Sequence, residues 1–382
     1  MQAEVKRLGV ENYDEMIGLM NYVFGLKNKK EMDFERELPK MCVRDEEHMR
    51  KHFGIFQDGK LVSCIGVYPY DTVIYGEKFL FATVGNLVTA PEYEGRGYMT
   101  LLLERAMREL DELQVDVARL GGLRSRYNRY GFETCGQKYS FTFTAKERER
   151  KFPNWDEGIT FSRIEATDKK ALEFVIGLYN ANAIAVTRNF ANVYETLTAW
   201  RNEPYLAIMD GEKVGYLCAD STGVHIAEIF AQDEQTVVQM LCAWQKRVGK
   251  NIAFTAQAHQ IERIRLFYEI CESYQLSYPS QFRVQNWERL LSALIKLKAS
   301  YCELPKGEIC IEIKNHGRFR LFLEEDCIGC ERTRKQADVT LDELSAMRYL
   351  FGPFSAIYTG KSSGIAGAWL PLPLSWNNQD RV

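Results

Sequence analysis

Apolar and polar residues along the first third of the chain follow two periods, which predicts a mixture of strands and helices. Alternation with period two, interrupted by turn residues such as Asp58-Gly59, indicates strands, whereas apolar residues three or four positions apart indicate helices. The pattern predicts strands at 4–9, 52–57, 61–67, 77–83, 86–89 and 115–120. It predicts helices around 16–23, at 98–112 and at 124–130, and a further strand that begins at 131.

A similar order of elements returns later in the chain. Residues 161–179 repeat the strand, polar cap and apolar helix of residues 5–20, and a strand at 224–231 again precedes a helix at 233–244. Beyond residue 286 the pattern changes to strands at 308–313 and 318–323 and a capped helix at 343–350, a small α+β unit. A chain of 382 residues is too long for one compact core. We therefore predict three domains with the boundaries 1–150, 151–285 and 286–382.

The most informative segment joins the strand that ends at Thr89 to the helix that begins near Tyr98. Its turn, Gly95-Arg96-Gly97, lacks β-carbons at two positions, so neighbouring backbone N–H groups can converge on an anion, and the helix dipole adds to the attraction. A dinucleotide fingerprint needs a third glycine, which is absent here. The turn indicates either a diphosphate site or an ordinary tight turn. The corresponding loop of the second copy, at 231–233, has no glycine, and we expect no such site there.

Composition and charge exclude several classes of protein. Hydrophobic residues make up 46% and charged residues 26% of the chain, as in soluble globular proteins. The net charge is −3 and no basic stripe is present, so a nucleic-acid partner is not expected. The N-terminus lacks the apolar core of a signal peptide, and no run of about 18 apolar residues occurs. A cytoplasmic protein without membrane contact is the expectation.

The ten cysteines predict no metal site and no disulfides. Most of them lie inside apolar segments, as small buried hydrophobes do in a reducing compartment. Cys327 and Cys330 form the one C-x-x-C pair, but zinc would need two more ligands, and no second pair has a matching spacing. We interpret this pair as part of a hairpin turn.

The glycine turn resembles the acetyl-CoA loop of the GNAT N-acetyltransferase superfamily. The superfamily pattern Q/R-x-x-G-x-G/A falls on residues 94–99, with departures at Glu94 and Met99. The resemblance implies acetyl-CoA as the cosubstrate. It also implies a set of residues around it: Leu87, Val88, Thr89, Gly95, Arg96, Gly97, Tyr98, Met99, Thr100 and Gly122.

A second motif, R-S-R-Y-N-R-Y-G-F at 124–132, together with the three segments, resembles the Eis (enhanced intracellular survival) family of acetyltransferases over essentially the whole chain. The resemblance implies an α+β (mixed α/β) fold class, with two tandem GNAT folds of which the second is degenerate. The segment from 286 onward resembles the sterol carrier protein-like fold. The family also implies a homo-oligomer, a hexamer.

The family resemblance assigns chemistry to three residues. Tyr127 falls on the general acid, and a phenol with a reference pKa of about 10 can protonate the leaving thiolate. We expect the Val88 N–H, at the bulged end of its strand, to stabilise the oxyanion. The carboxylate of Val382 falls on the base that family members supply from their last residue, brought back by the C-terminal tail. A terminal carboxylate with a reference pKa of about 3.3 to 3.7 is a weak base, so it either accepts the proton or only orients a cationic amine.

The leading functional hypothesis is an acetyl-CoA-dependent N-acetyltransferase. Its expected acceptor is a primary amine of a small cationic molecule, aminoglycoside-like or polyamine-like, which attacks the thioester directly. Two alternatives stay open from the sequence: a protein lysine acetyltransferase, and a non-catalytic acyl-CoA or lipid-binding protein.

Overall fold

The computed structural model describes residues 4–153, 155, 158–353, 355 and 364–381. In the first part of the chain, helices alternate with long strands. The strands are β1 (Val5–Arg7), β2 (His52–Gln57), β3 (Lys60–Ile74), β4 (Glu77–Thr89), β5 (Val117–Leu120), β6 (Glu133–Cys135) and β7 (Lys138–Phe143). The helices are α1 (Tyr13–Asn28), α2 (Phe34–Glu37), α3 (Glu46–Met49), α4 (Tyr98–Glu112), α5 (Arg124–Tyr127) and α6 (Ala145–Lys151).

The second part has a similar order of elements. A strand and a helix come first, and a meander of strands then precedes a long helix. Its strands are β8 (Ile159–Arg163), β9 (Ile184–Val186), β10 (Glu203–Met209), β11 (Glu212–Ala219), β12 (Ile226–Ala231), β13 (Ile252–Gln257), β14 (Ser273–Ser277) and β15 (Ser280–Val284). Its helices are α7 (Lys169–Asn180), α8 (Val193–Thr198), α9 (Glu234–Val248) and α10 (Ile261–Ile270).

The last part has a four-stranded sheet and three helices in the described residues. Its strands are β16 (Gly307–Ile313), β17 (Gly317–Leu323), β18 (Ile328–Arg332) and β19 (Val339–Leu341). Its helices are α11 (Trp287–Tyr301), α12 (Glu343–Phe351) and α13 (Ile365–Trp369). The sheet order is β18-β17-β16-β19, and β19 runs parallel to β16. Cys330 lies inside β18 and Cys327 just before it, where its carbonyl accepts the Glu324 N–H at 2.8 Å.

Two helices cover opposite faces of the first sheet. Side chains of β4 alternate between these faces, so Val84 packs in the apolar core beneath α4, and Phe81 packs in the core that contains α11. The buried residues of α4 recur every three or four positions, which is why this segment forms an amphipathic helix: Tyr98, Leu102, Leu103, Ala106, Glu109 and Leu110. Helix α11, which the sequence analysis does not predict, has the same apolar periodicity.

The first and second parts of the chain exchange strands. The order of the first sheet is β1-β2-β3-β4-β5-β15-β6, with β9 paired to β3, so β15 lies between two strands that precede it by about 150 residues in sequence. In return, β7 lies between β13 and β14. The predicted boundaries at 150 and 285 stay predictions, and backbone hydrogen bonds cross both of them.

No helix in the described ranges combines the length and apolar character needed to cross a membrane.

Candidate active site

Strand β4 bulges where it extends past the end of β5. Two residues of β4, Asn86 and Leu87, lie opposite one residue of β3, Ile65, and Asn86 adopts a left-handed φ of 53°. The parallel pairing of β4 with β5 ends at Val84 and Leu120. Beyond these residues the edge of β4 has no partner in β5.

A buried chain of hydrogen bonds supports the bulge. Asn86 Nδ2 donates to the Tyr68 hydroxyl at 2.6 Å, and this hydroxyl lies 2.8 Å from Nε2 of His52. Both His52 and Tyr68 are 1% exposed, and burial lowers the pKa of His52 to about 4. A neutral imidazole whose Nε2 accepts from Tyr68 carries its proton on Nδ1, which faces the carbonyls of His48 and Met49. Both ring nitrogens of His52 and the Tyr68 hydroxyl therefore have partners.

The orientation of Val88 corrects the prediction for its amide. The Val88 carbonyl accepts from Ser63 Oγ at 2.7 Å, and the Ala90 N–H donates to the Val62 carbonyl at 2.9 Å, so both residues face β3. Successive residues of an antiparallel strand point their backbone groups to opposite sides. The Val88 N–H is consequently directed at β3 and is not available to an oxyanion, whereas the Thr89 N–H points to the open edge.

A cleft of about 560 Å³ lies beside this edge; we call it the glycine-loop cleft. Its lining includes the predicted residues Leu87, Val88, Thr89, Gly95, Gly97, Tyr98, Met99 and Thr100. Two predicted residues are elsewhere: Arg96 places its guanidinium 4.9 Å from the ring centre of Tyr93, and Gly122 borders a neighbouring cavity. Lys27 and Arg126 bring positive charge to the cleft, and Glu94 also lines it.

The start of helix α4 is open toward the glycine-loop cleft. Gly95 and Gly97 have φ values of 77° and 81°, a left-handed conformation that favours glycine, and no side chain in the described part of the molecule caps the helix. In the second part of the chain, by contrast, Asp233 caps α9 by accepting the Thr236 N–H at 2.8 Å. The two helix starts therefore differ: a side chain caps α9, and no described side chain caps α4.

Tyr127 is the last residue of α5, and two cavities are lined by residues next to it. It is 7% exposed, and a β-carbon on Gly122 would lie 3.0 Å from its Cε2, so the ring contacts the glycine backbone closely. Its sequence neighbour Arg126 lines the glycine-loop cleft. Gly122 borders a second cavity of about 340 Å³, which we call the arginine cavity; its lining is Arg119, Leu120, Gly121, Gly122, Trp200, Tyr278, Pro279, Ser280, Gln281 and Arg381.

The C-terminal tail is buried between the first and second parts of the chain. Trp376 stacks on Phe81 of β4 with ring centres 5.6 Å apart. Gln379 is fully buried, and its Nε2 donates to three backbone carbonyls at the end of α8, those of Thr196, Leu197 and Ala199. The backbone carbonyl of Gln379 accepts from Lys40 Nζ at 2.8 Å. Arg381 reaches the arginine cavity. Val382, the predicted base, lies outside the described residues.

The sequence analysis missed the arginine cavity because its lining comes from four separate segments. One signal was available: Arg119 is a charged residue within the apolar strand β5. The sequence around Trp200 gave no such signal. In the structure its φ is 61°, which is unusual for a residue with a bulky side chain. Asn202 Nδ2 stabilises this turn by donating to the Ala199 carbonyl at 3.0 Å.

Comparisons with known proteins identify a family for the first part of the chain. Residues 4–135 match the family described as acetyltransferase (GNAT) domain. No curated protein matches the chain in sequence.

Solved structures resemble the chain over its full length. A probable N-acyltransferase from Enterococcus faecalis has a TM-score of 0.68 at 18% identity and covers 100% of this chain and 97% of its own. A GCN5-related N-acetyltransferase from Anabaena variabilis has a TM-score of 0.68 at 15% identity, with 98% of each chain covered. Eis1 from Mycobacterium abscessus has a TM-score of 0.63 at 15% identity, also with 98% of each covered. At these identities the likeness shows a shared fold.

The matched range holds the β4 bulge, the glycine loop and Tyr127. The chain thus carries a GNAT acetyltransferase domain, and the protein is an acyltransferase.

Proposed function

We propose that the protein transfers the acetyl group of acetyl-CoA directly to a primary amine of a small molecule. The observation that carries the proposal is the uncapped start of α4 at Gly97, which lies in one cleft with the open edge of the bulged strand β4. Backbone amides at a helix start suit a diphosphate, and an open strand edge suits the amide groups of a pantetheine arm. Lys27 and Arg126 add positive charge for the phosphates.

Direct transfer requires one bond to form and one to break. The amine nitrogen attacks the thioester carbonyl carbon, a C–N bond forms, and the C–S bond breaks as the amine loses a proton. In our proposal the Tyr127 hydroxyl gives its proton to the leaving sulfur and then regains one from solvent. The Thr89 N–H, on the open edge of β4, is our candidate donor to the carbonyl oxygen while it carries negative charge.

The terminal carboxylate is our candidate for the group that receives or orients the amine. The prediction for the Val382 carboxylate stands as a prediction, and the burial of the preceding tail supports it, since Gln379 and Asp380 are almost completely buried. A carboxylate of low reference pKa is better suited to orient an amine than to deprotonate an ammonium group.

The finer expectation of an aminoglycoside-like or polyamine-like acceptor gains no support from the arginine cavity. A polycation would require carboxylates around it. The charged residues in the described lining are two guanidinium groups. The proposed acceptor is therefore a primary amine of a small molecule.

An assay for free thiol tests the proposed function. Purified protein is incubated with acetyl-CoA and a panel of amines that includes polyamines, an aminoglycoside and amino acids, and thiol release is followed with time. We expect release that depends on one class of amine. If acetyl-CoA binds in calorimetry but no amine at any pH releases thiol, the protein is instead a non-catalytic acyl-CoA-binding protein. If release requires added protein, mass spectrometry of its lysines identifies a protein acetyltransferase.

A further inference from the structure

The arginine cavity contains a buried positive charge that contacts no carboxylate of the described residues. Arg119 is 3% exposed, and it donates to two hydroxyl groups, those of Ser280 at 3.1 Å and Thr83 at 3.4 Å. It pairs with no carboxylate among the described residues, and Arg381 is the second cation of the lining. Burial, together with repulsion from Arg381, lowers the pKa of Arg119 to about 10, although the charge of Asp380, which forms no ion pair with it, acts in the opposite direction. A buried guanidinium without a counter-ion is unfavourable.

The chain neutralises a comparable buried cation nearby. Arg188 is also almost fully buried, and both of its terminal nitrogens donate to Glu228, at 2.6 and 2.7 Å, while one of them also donates to Asp380 at 3.0 Å. Two carboxylates therefore balance this guanidinium. Carboxylates of the protein thus pair with buried Arg188. Arg119 borders a cavity instead, and no carboxylate of the described residues pairs with it.

The arginine cavity lies next to the predicted general acid. Gly122 forms part of its lining and contacts the ring of Tyr127. Gln281, 2% exposed, donates from Nε2 to the Gly122 carbonyl at 2.7 Å, and its buried Oε1 has no donor in the described part of the chain. Among the described residues, the lining thus combines two cations that pair with no carboxylate and a buried acceptor that has no donor.

We infer that the amine acceptor carries a carboxylate, which Arg119 binds in the arginine cavity. The acceptor is then a small molecule with both an amine and a carboxylate, as in an amino acid. This inference rests on the proposed acetyltransferase function and specifies its substrate class. A carboxylate at Arg119 has two sources, the acceptor or the last residue of the chain, and the experiment must separate them.

The experiment compares each acid with its neutral counterpart. Lysine, β-alanine and 4-aminobutyrate are each assayed beside the corresponding carboxamide, and kcat/KM is measured for both. We expect the acid to be preferred by about ten- to a hundredfold, the value of a charge-assisted hydrogen bond. Arg119→Gln should abolish most of this preference, and Arg119→Lys should retain part of it. Arg247→Gln removes an exposed arginine of the second part and should keep the wild-type preference.

Thermal melts of each variant establish that it is folded, and a semisynthetic protein whose terminal carboxylate is a carboxamide identifies the source of the carboxylate. The inference predicts that the preference survives this amidation. If the wild type shows no preference and one appears only after amidation, the terminal carboxylate occupies Arg119 and the inference is overturned. Equal rates with acid and amide in the wild type and in both Arg119 variants also overturn it, while the acetyltransferase function stands.

Failure of the proposed function has a different signature, because no amine is then acetylated at all. In that case calorimetric titration of lysine and lysinamide into the CoA-saturated protein tests the inference by itself. Tighter binding of lysine that is lost in Arg119→Gln supports a carboxylate site. Equal binding of the two probes, or binding of neither, rejects it.

Discussion

Arg188 and Asp380, 192 residues apart in the sequence, form a buried ion pair at 3.0 Å. Asp380 also accepts a hydrogen bond from the Tyr179 hydroxyl of α7. Because Asp380 belongs to the tail and its partners belong to the second part of the chain, this contact fixes the tail where it passes toward the arginine cavity. The position of Arg381 in the lining of the arginine cavity therefore depends on Tyr179, Arg188 and Asp380. None of these three residues lines the arginine cavity or the glycine-loop cleft.

Asp380→Ala should destabilise the protein strongly. The change leaves the Tyr179 hydroxyl and one Arg188 nitrogen without their acceptor in a buried site, and each hydrogen bond to a charged group contributes about 1.5 to 3 kcal/mol. We expect the free energy of unfolding in urea to fall by about 3 kcal/mol. Asp14→Ala, which breaks an exposed pair with Arg44, is the matched control and should have a much smaller effect. Equal losses of unfolding free energy in the two variants would contradict the conclusion that Asp380 fixes the tail.

Tyr127→Phe tests the proposed general acid. The substitution keeps the ring that packs against Gly122 and removes only the proton donor. We expect kcat to fall by about a hundred- to ten-thousandfold with little change in the KM for acetyl-CoA. Tyr130→Phe, in the following turn, removes a hydroxyl that accepts from Arg129 at 2.9 Å and should leave kcat near the wild-type value. An unchanged kcat for Tyr127→Phe would indicate that another group, or water, protonates the leaving sulfur.

Gly97→Ala tests the anion site at the start of α4. An added β-carbon meets no atom within 4 Å, so any effect arises from the φ of 81° and not from a clash. A left-handed alanine costs about 1 kcal/mol and shifts the amides that follow it. We expect weaker acetyl-CoA binding in calorimetry.

Gly76→Ala is the control for this variant, because Gly76 has a φ of 82° and equally open surroundings in the turn between β3 and β4. It should lose similar stability and keep its acetyl-CoA affinity. A parallel loss of affinity in both variants would assign the effect to general destabilisation.

Local patterns in the sequence predicted the core of the GNAT domain well. The helix predicted at 98–112 has these bounds in the structure, since its apolar face, its glycine start and its polar face are all properties of neighbouring residues. The match to the acetyltransferase (GNAT) domain family over residues 4–135 confirms the superfamily predicted from Gly95 and Gly97. Most of the residues predicted around acetyl-CoA line one cleft for the same reason: they are contiguous in the chain.

Features that depend on long-range pairing were not predictable in this way. Strand β15 has the same alternation whichever sheet it joins, so the exchange with β7 leaves no trace in periodicity. The error at Val88 has a related cause. Period-two alternation assigns side chains to faces, but the edge toward which an N–H points depends on which strand is the partner and on the bulge at Asn86. The arginine cavity likewise exists only once β5, β15 and the tail are assembled.

The buried histidine beside the bulge predicts a pH dependence of stability. Burial lowers the pKa of His52 to about 4 in the folded protein, below its ordinary value of 6.5. Between these values the unfolded chain binds a proton that the folded protein does not, so stability rises with pH across this window and falls as the pH drops through it. The contribution of His52 is fully present above pH 6.5, declines by up to about 1.4 kcal/mol per pH unit, and is exhausted below pH 4.

Urea unfolding between pH 4 and 7 measures this contribution in wild type and His52→Gln. The variant cannot take up the proton on unfolding, so its stability should change less steeply with pH than that of the wild type in this window. His225→Gln, which alters an exposed histidine, should keep the wild-type slope. Because His52 accepts from Tyr68, which in turn accepts from Asn86, protonation of His52 also disrupts the support of the bulge. In the folded protein His52 takes up its proton only near pH 4, so acetyl-CoA affinity should hold at pH 5 and decline as the pH approaches 4. A constant affinity down to pH 4 would show that the bulge does not depend on this hydrogen-bond chain.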